Sequence, residues 1–225
     1  MVELSGVGDR CVSLLPAEAL REWQAQADST LEVCGLDLSQ ADLSGADLAM
    51  GLLVQTVLRG ARLVGVDLYR ARLDDAVLDL ADLTGAEAVK AVLDGASLRG
   101  ANLNGADLGS AELAGVDARS AWLRAARLDG AFLLDVDLRG ADLFGASVRE
   151  TSFRTELDDE TCVRGLTGSL FGPAHVHEAG TRRELAGSEL EAWLNSRGAA
   201  IEVLEPRGKS VSHCAKVSDS PPRRV

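Results

Sequence analysis

The chain has 225 residues, of which 46% are hydrophobic and only 4% aromatic, and it carries a formal net charge of −12. A core for such a chain is built from Leu and Ala rather than rings, and so acidic a surface excludes nucleic-acid binding through phosphate contacts; it suits proteins that themselves bind phosphate backbones. The opening residues Met1 to Arg10 lack the basic start and apolar run of a signal peptide, and no stretch approaches a membrane span, so a soluble, cytoplasmic protein is expected.

Residues 1–35 form the first region. Pro16 to Ala27 predicts a helix, with Pro at its first turn and Leu20, Trp23 and Ala27 on one face. A single short apolar stripe is what a cap needs, and this helix is assigned to the N-terminal end of the following repeat. A partner-binding helix is the alternative.

From Leu36 to Thr155 the chain repeats every five residues. Ala96 to Gly100, Ala101 to Gly105 and Ala106 to Ser110 each read as small, polar, Leu, variable, turn-former. Centres from Leu38 to Phe153 make 24 units, 20 of them with Leu, and 17 have Ala two positions earlier. A period of five matches neither helix nor ordinary strand, so neither template would bury all the leucines, whereas a solenoid would. In it Ala and Leu point inward, the residue between them points out, and the last two turn a corner, where Gly stands 11 times.

Departures from the pattern mark special places. At Val116 and Ala118 the large and small residues have changed places, which is expected to conserve core volume. The unit from Ala86 to Lys90 has small residues at both inward positions, and a bulge is expected there. Folding the frame into four sides stacks Asp47, Asp67, Glu87 and Asp107 in one column, followed by Arg127; Arg59, Asp79, Arg99, Arg119 and Arg139 fall in another. Stacked like charges repel, so the acidic column is either a solvated face or a partner-facing one. Trp122, Phe132, Leu134 and Phe144 point outward in the last two coils, and with Phe153 they are expected to form a dimer surface or a docking surface for the C-terminal part.

Residues 156–205 change composition and predict a small ββαβ unit that docks on the last coil. Leu170 to Leu185 reads as a hairpin, Ser188 with Glu191 as a capping box opening a helix that closes at Gly198, and Ala200 to Leu204 as a strand. His175 and His177 share a strand face without a third metal ligand, and Cys11, Cys34, Cys162 and Cys214 lack metal or disulfide spacing. No metal or cofactor is expected. Residues 206–225, rich in Ser, Pro and charge, are expected to be disordered.

The A(D/N)LxG sentence resembles that of the pentapeptide repeat family. That resemblance implies an all-β solenoid: a right-handed quadrilateral β-helix of about six coils, here with an N-terminal capping helix and a C-terminal ββαβ appendage. No phosphate loop, catalytic triad or metal motif is present in the sequence, and no enzyme is expected. Functionally the nearest group is the Qnr-like proteins and those conferring self-resistance to topoisomerase poisons. The resemblance to them implies a DNA mimic that binds DNA gyrase or topoisomerase IV and protects it from a poison, working as a homodimer joined through the C-terminal coils. A non-enzymatic scaffold for an unrelated protein is the alternative.

Overall fold

The computed structural model describes residues 31–205. The expected helix over Pro16 to Ala27, Cys11, Cys214 and the tail from Pro206 lie outside these residues.

Parallel bridges join residues 20 apart: Glu32 to Leu52, Asp37 to Val57, Asp42 to Arg62 and Asp47 to Asp67, and so on upward to Asp142 and Cys162. Four bridges per turn make a four-sided helix, whose sides we name after Glu32, Asp37, Asp42 and Asp47. The ladder already includes the unit from Leu31 to Gly35, so coiling begins before the boundary expected at Leu36; Leu31 and Val33 are buried.

Each corner is a turn whose first carbonyl accepts from the amide three residues on, as when Ala41 N donates to Leu38 O at 3.1 Å. Its third residue has positive φ in each unit from Gly35 to Glu150, glycine or not: Gly105 at 68°, but also Met50 at 59° and Leu80 at 59°. The stacking fixes the corner conformation, and glycine only makes it cheaper. Aspartate is common at the outward position for a local reason. The Oδ1 of Asp37, Asp67 and Asp107 accepts from the amide two residues on, at 2.9, 2.8 and 3.0 Å, tying strand to corner.

Leu and Ala fill the axis almost without exposed surface. At Ala86 to Lys90 the expected bulge is absent: Glu87 bridges Asp107, Lys90 N donates to Gly109 O at 2.9 Å, and Val89 stays half-buried outside. A regular backbone ladder outweighs the small gap left by one Ala centre. At the exchange of Val116 and Ala118 both side chains stay buried, and a cavity of about 20 Å3 lies in the axis between Leu98, Ala118, Val136 and Leu138.

Regularity ends in the last coils. Strand β1 (Phe132–Asp137) pairs in parallel with the 12-residue β2 (Ser147–Asp158), but the register passes from Leu134–Arg154 to Val136–Thr155 and leaves Asp135 unmatched. A corner is thereby lost, and Thr151, Phe153, Thr155 and Leu157 alternate inward as in an ordinary strand. The coil continues past the expected boundary at Thr155, with Val163 and Leu166 buried in it.

Strand β3 (Thr167–Phe171) then lies on β2, as does β4 (Ala174–Glu178), which turns back antiparallel as β5 (Thr181–Leu185). Helix α1 (Gly187–Ser196) buries Leu190, Trp193 and Leu194, and β6 (Ala200–Val203) pairs in parallel with β3. The expected capping box does not form. The N-cap is Ala186, which has no side-chain cap bond, and Glu191 instead accepts from Val203 N at 3.0 Å, fastening helix to strand.

Candidate functional site

The acidic column stands where the repeat frame puts it. Asp47, Asp67, Glu87 and Asp107 are bridged in succession on the Asp47 side, and Asp107 is bridged to Arg127. Arg127 ion-pairs with Asp107, its Nε donating to Oδ1 at 2.9 Å, which neutralises the top of the column. Asp47, Asp67 and Glu87 have no cationic partner among the described residues. They form an uncompensated row at strand spacing, about 4.8 Å per step.

Arg99, Arg119 and Arg139 lie on the opposite, Asp37 side, locked into an alternating ladder. Asp117 receives Arg99 at 2.6 Å and Arg119 at 2.8 Å, and Asp137 receives Arg139 at 2.6 Å. Burial pulls the Asp117 carboxyl upward, but hydrogen bonds from Arg119 and Arg99 override it and hold the group well below the usual carboxylate range. The Arg139 guanidinium is likewise raised by its bonds to Asp137. This positive charge is partly cancelled where it stands, while Arg70 and Lys90 stand at the corners of the acidic row's own units.

The expected aromatic surface is not one surface. Trp122, 57% exposed, and Phe144, 43% exposed, occupy the Asp42 side, where Arg164 stands over the Phe144 ring at 5.1 Å. Phe132 and Leu134 lie half a turn away on the Glu32 side. Phe153 is fully buried in the axis, because it is the inward centre of its unit. The C-terminal unit covers the end of the rod and leaves Trp122, Phe132 and Phe144 exposed.

Glu156 and Glu178, which the sequence reading did not single out, organise that unit. Glu156 Oε1 lies 2.6 Å from Arg182 Nη2 and 3.3 Å from His175 Nδ1, while Oε2 lies 2.6 Å from His177 Nε2. The Arg182 hydrogen bond first, then that of His177, lowers the Glu156 carboxyl to about 2. The histidines thus serve to hold a carboxylate, and among the described residues no group of three His, Cys, Asp or Glu is placed to hold a metal. Glu178 accepts from Trp193 Nε1 at 2.8 Å and from Arg197 and Arg183 at 2.7 and 2.9 Å, with the Arg197 guanidinium 3.9 Å from the Trp193 ring centre. Only the first residue after the clean repeat, a charged side chain where the frame fails, hints at Glu156 in the sequence.

A rod of stacked, repeat-built coils, with charged and aromatic side chains on its outer faces, defines the class: a four-sided β-helix. The chain belongs to the pentapeptide repeat family, whose description, Pentapeptide repeats, matches in 8 copies over residues 37–78, 76–115, 91–130 and 119–154. Members fold as right-handed quadrilateral β-helices and are generally non-enzymatic scaffolds. No curated protein matches the chain. Among solved structures, a pentapeptide repeat protein from the Arabidopsis thaliana thylakoid lumen is 30% identical over 46% of this chain and 71% of its own, with a TM-score of 0.43. QnrB1, a plasmid-mediated fluoroquinolone resistance protein, is 14% identical over 77% of this chain and 90% of its own, with a TM-score of 0.47. HetL of Nostoc, involved in heterocyst differentiation regulation, is 27% identical over 68% and 90%, with a TM-score of 0.22. These scores, all below 0.5, add nothing about function. Among the described residues no helix is long and apolar enough to cross a membrane.

Proposed function

We propose that this protein is a non-enzymatic DNA mimic that occupies the basic DNA-binding groove of a bacterial type II topoisomerase, DNA gyrase or topoisomerase IV, and protects it from a poison. The observation that carries this reading is the row of Asp47, Asp67 and Glu87, without ion-pair partners, on one side of the ladder, with the paired Arg99, Arg119 and Arg139 on the opposite side. Such a row presents a continuous negative field to a cationic groove; it imitates the field of a duplex rather than its atoms. In the same reading the exposed Trp122 and Phe144 face of the C-terminal coils is the seam for a second copy.

The test is binding of immobilised gyrase by the wild type and by Asp67→Lys with Glu87→Lys. Reversal is expected to weaken binding by about tenfold or more at low salt while the thermal melt stays cooperative. Equal binding by the variant would remove the Asp47 side from the contact. A scaffold role toward another protein is the second reading, favoured by the half-cancelled ladder of the Asp37 side, which would suit a partner of mixed charge.

A further inference from the structure

On the Glu32 side Phe132 stacks on Glu112, and in the corner column that follows, Leu134 stands above Ala114 and Ala114 above Asp94. Ala114 is a short side chain between longer ones, and Gly115 beside it has none. The surface therefore falls away into a recess of about 230 Å3, lined by Asp94, Glu112, Leu113, Ala114, Phe132 and Leu134. Phe132, 49% exposed, and Leu134 make its upper wall apolar, while Asp94 and Glu112 place carboxylates at its lower rim. Asp94 Oδ1 accepts from Ala114 N at 2.7 Å, which fixes that carboxylate at the recess.

The arginines of this side are engaged elsewhere, Arg72 with Asp74 at 3.2 Å and Arg154 with Asp135 at 2.6 Å. Neither Asp94 nor Glu112 has an ion-pair partner among the described residues. An exposed apolar wall and neighbouring like charges are both unfavourable, and one kind of side chain relieves both: a long cationic one, its stem on Phe132 and Leu134 and its charge toward the acids. An acidic segment would be repelled, and a wholly apolar one would strip water from two carboxylates without pairing them. Arginine fits better than lysine, because its planar guanidinium is weakly hydrated, stacks on a ring and donates to carboxylates as a fork. At about 230 Å3 the recess is smaller than the roughly 300–1,000 Å3 pocket of a drug-sized ligand, so it suits a single side chain.

We propose that the recess of Asp94, Glu112, Phe132 and Leu134 is the seat for an arginine side chain of a partner protein. The inference is independent of the topoisomerase reading, which concerns the Asp47 side, and the two can fail separately.

The test follows the methyl signals of Ala114 and Leu134 by NMR in the full chain at low salt, while the peptide acetyl-Ala-Leu-Arg-Leu-Ala-amide is added. The shifts are expected to saturate with a Kd on the order of 1 mM and to fade at high salt, and the same peptide with citrulline for arginine should bind about tenfold more weakly. Asp94→Asn with Glu112→Gln is expected to weaken binding about tenfold. Ala114→Leu, which fills the recess and keeps both carboxylates, should do the same. Asp67→Asn with Glu87→Gln removes as much charge from the Asp47 side and should leave binding unchanged. Absence of saturable shifts, equal binding of the citrulline peptide, or undiminished binding by Ala114→Leu would overturn the proposal. So would equal weakening by the Asp47-side variant, since the general acidic field would then be the cause. Loss of self-association in Ala114→Leu, read by sedimentation, would give the seat to a second copy and overturn it as well.

Discussion

The body of the rod and its C-terminal unit are held together by different means. In the body one set of interactions is written again in every coil: a Leu in the axis, an Ala beside it, a bridge to the residue 20 further on and a turn with positive φ. In the C-terminal unit each fastening occurs once, Glu156 gathering β2, β4 and β5, Glu178 gathering β4, β5 and α1, and Glu191 tying α1 to β6. The difference teaches that redundancy tolerates local departures, such as the Ala88 centre, whereas the cap depends on individual side chains. Nearest-neighbour stacking explains the first behaviour, and partly exposed polar networks the second.

The largest break is expected in the body. Leu103→Ala should cost about 2–5 kcal/mol, since Leu103 is 1% exposed and its coil neighbours cannot close the gap. A denaturant melt that does not move would refute the inward register. Next comes the cap, probed by acid. The Glu156 carboxyl is lowered from 4.5 to about 2, so its contribution is fully present above pH 4.5 and fades as pH falls toward about 2. That amounts to at most about 3 kcal/mol, and Glu156→Gln should flatten this acid dependence in hydrogen exchange of β4 and β5, leaving the amides of the body unaffected.

Smaller effects sharpen the comparison at the corners. Leu80, 68% exposed at φ 59°, should gain about 1 kcal/mol on replacement by Gly, whereas Gly105→Ala, at φ 68° with open space around the added carbon, should lose about as much. Equal melting temperatures for both would mean that stacking imposes no cost at these turns. A last contrast lies where the body gives way to the cap. Thr155 is 1% exposed and its hydroxyl has no partner, while Thr56, Thr151 and Thr161 each donate to a carbonyl of the coil before. Thr155→Val is therefore expected to be neutral or to stabilise by up to about 1 kcal/mol, and Thr151→Val to destabilise by about 1–3 kcal/mol, both measured by thermal melts.

The body was legible in the sequence because its physics is periodic. Inward positions, corners and the stacking of Asp47, Asp67, Glu87 and Asp107 all follow from counting by five and then by 20. What counting does not supply is pairing between side chains at different positions of the repeat. Arg127 over Asp107 follows from the same count, being one coil on in one column, but Asp117 joins Arg99 to Arg119 only because corner arginines lean onto the outward residue of their own coil or the next. Phe153 is inward by its place in the frame and cannot serve the expected surface, and the ten residues of chain between Trp122 and Phe132 put them on opposite sides. In the cap, the hairpin and helix were visible as local patterns, but Glu191 had two competing uses and the long-range one prevailed.

The measurement that tests the central claim most directly is gyrase supercoiling with the purified protein, with and without a gyrase poison, read as both supercoiled product and cleaved complex. The account predicts inhibition of supercoiling or rescue from the poison, and loss of that effect in Asp67→Lys with Glu87→Lys. No effect of the wild type on gyrase or topoisomerase IV at any ratio would contradict it.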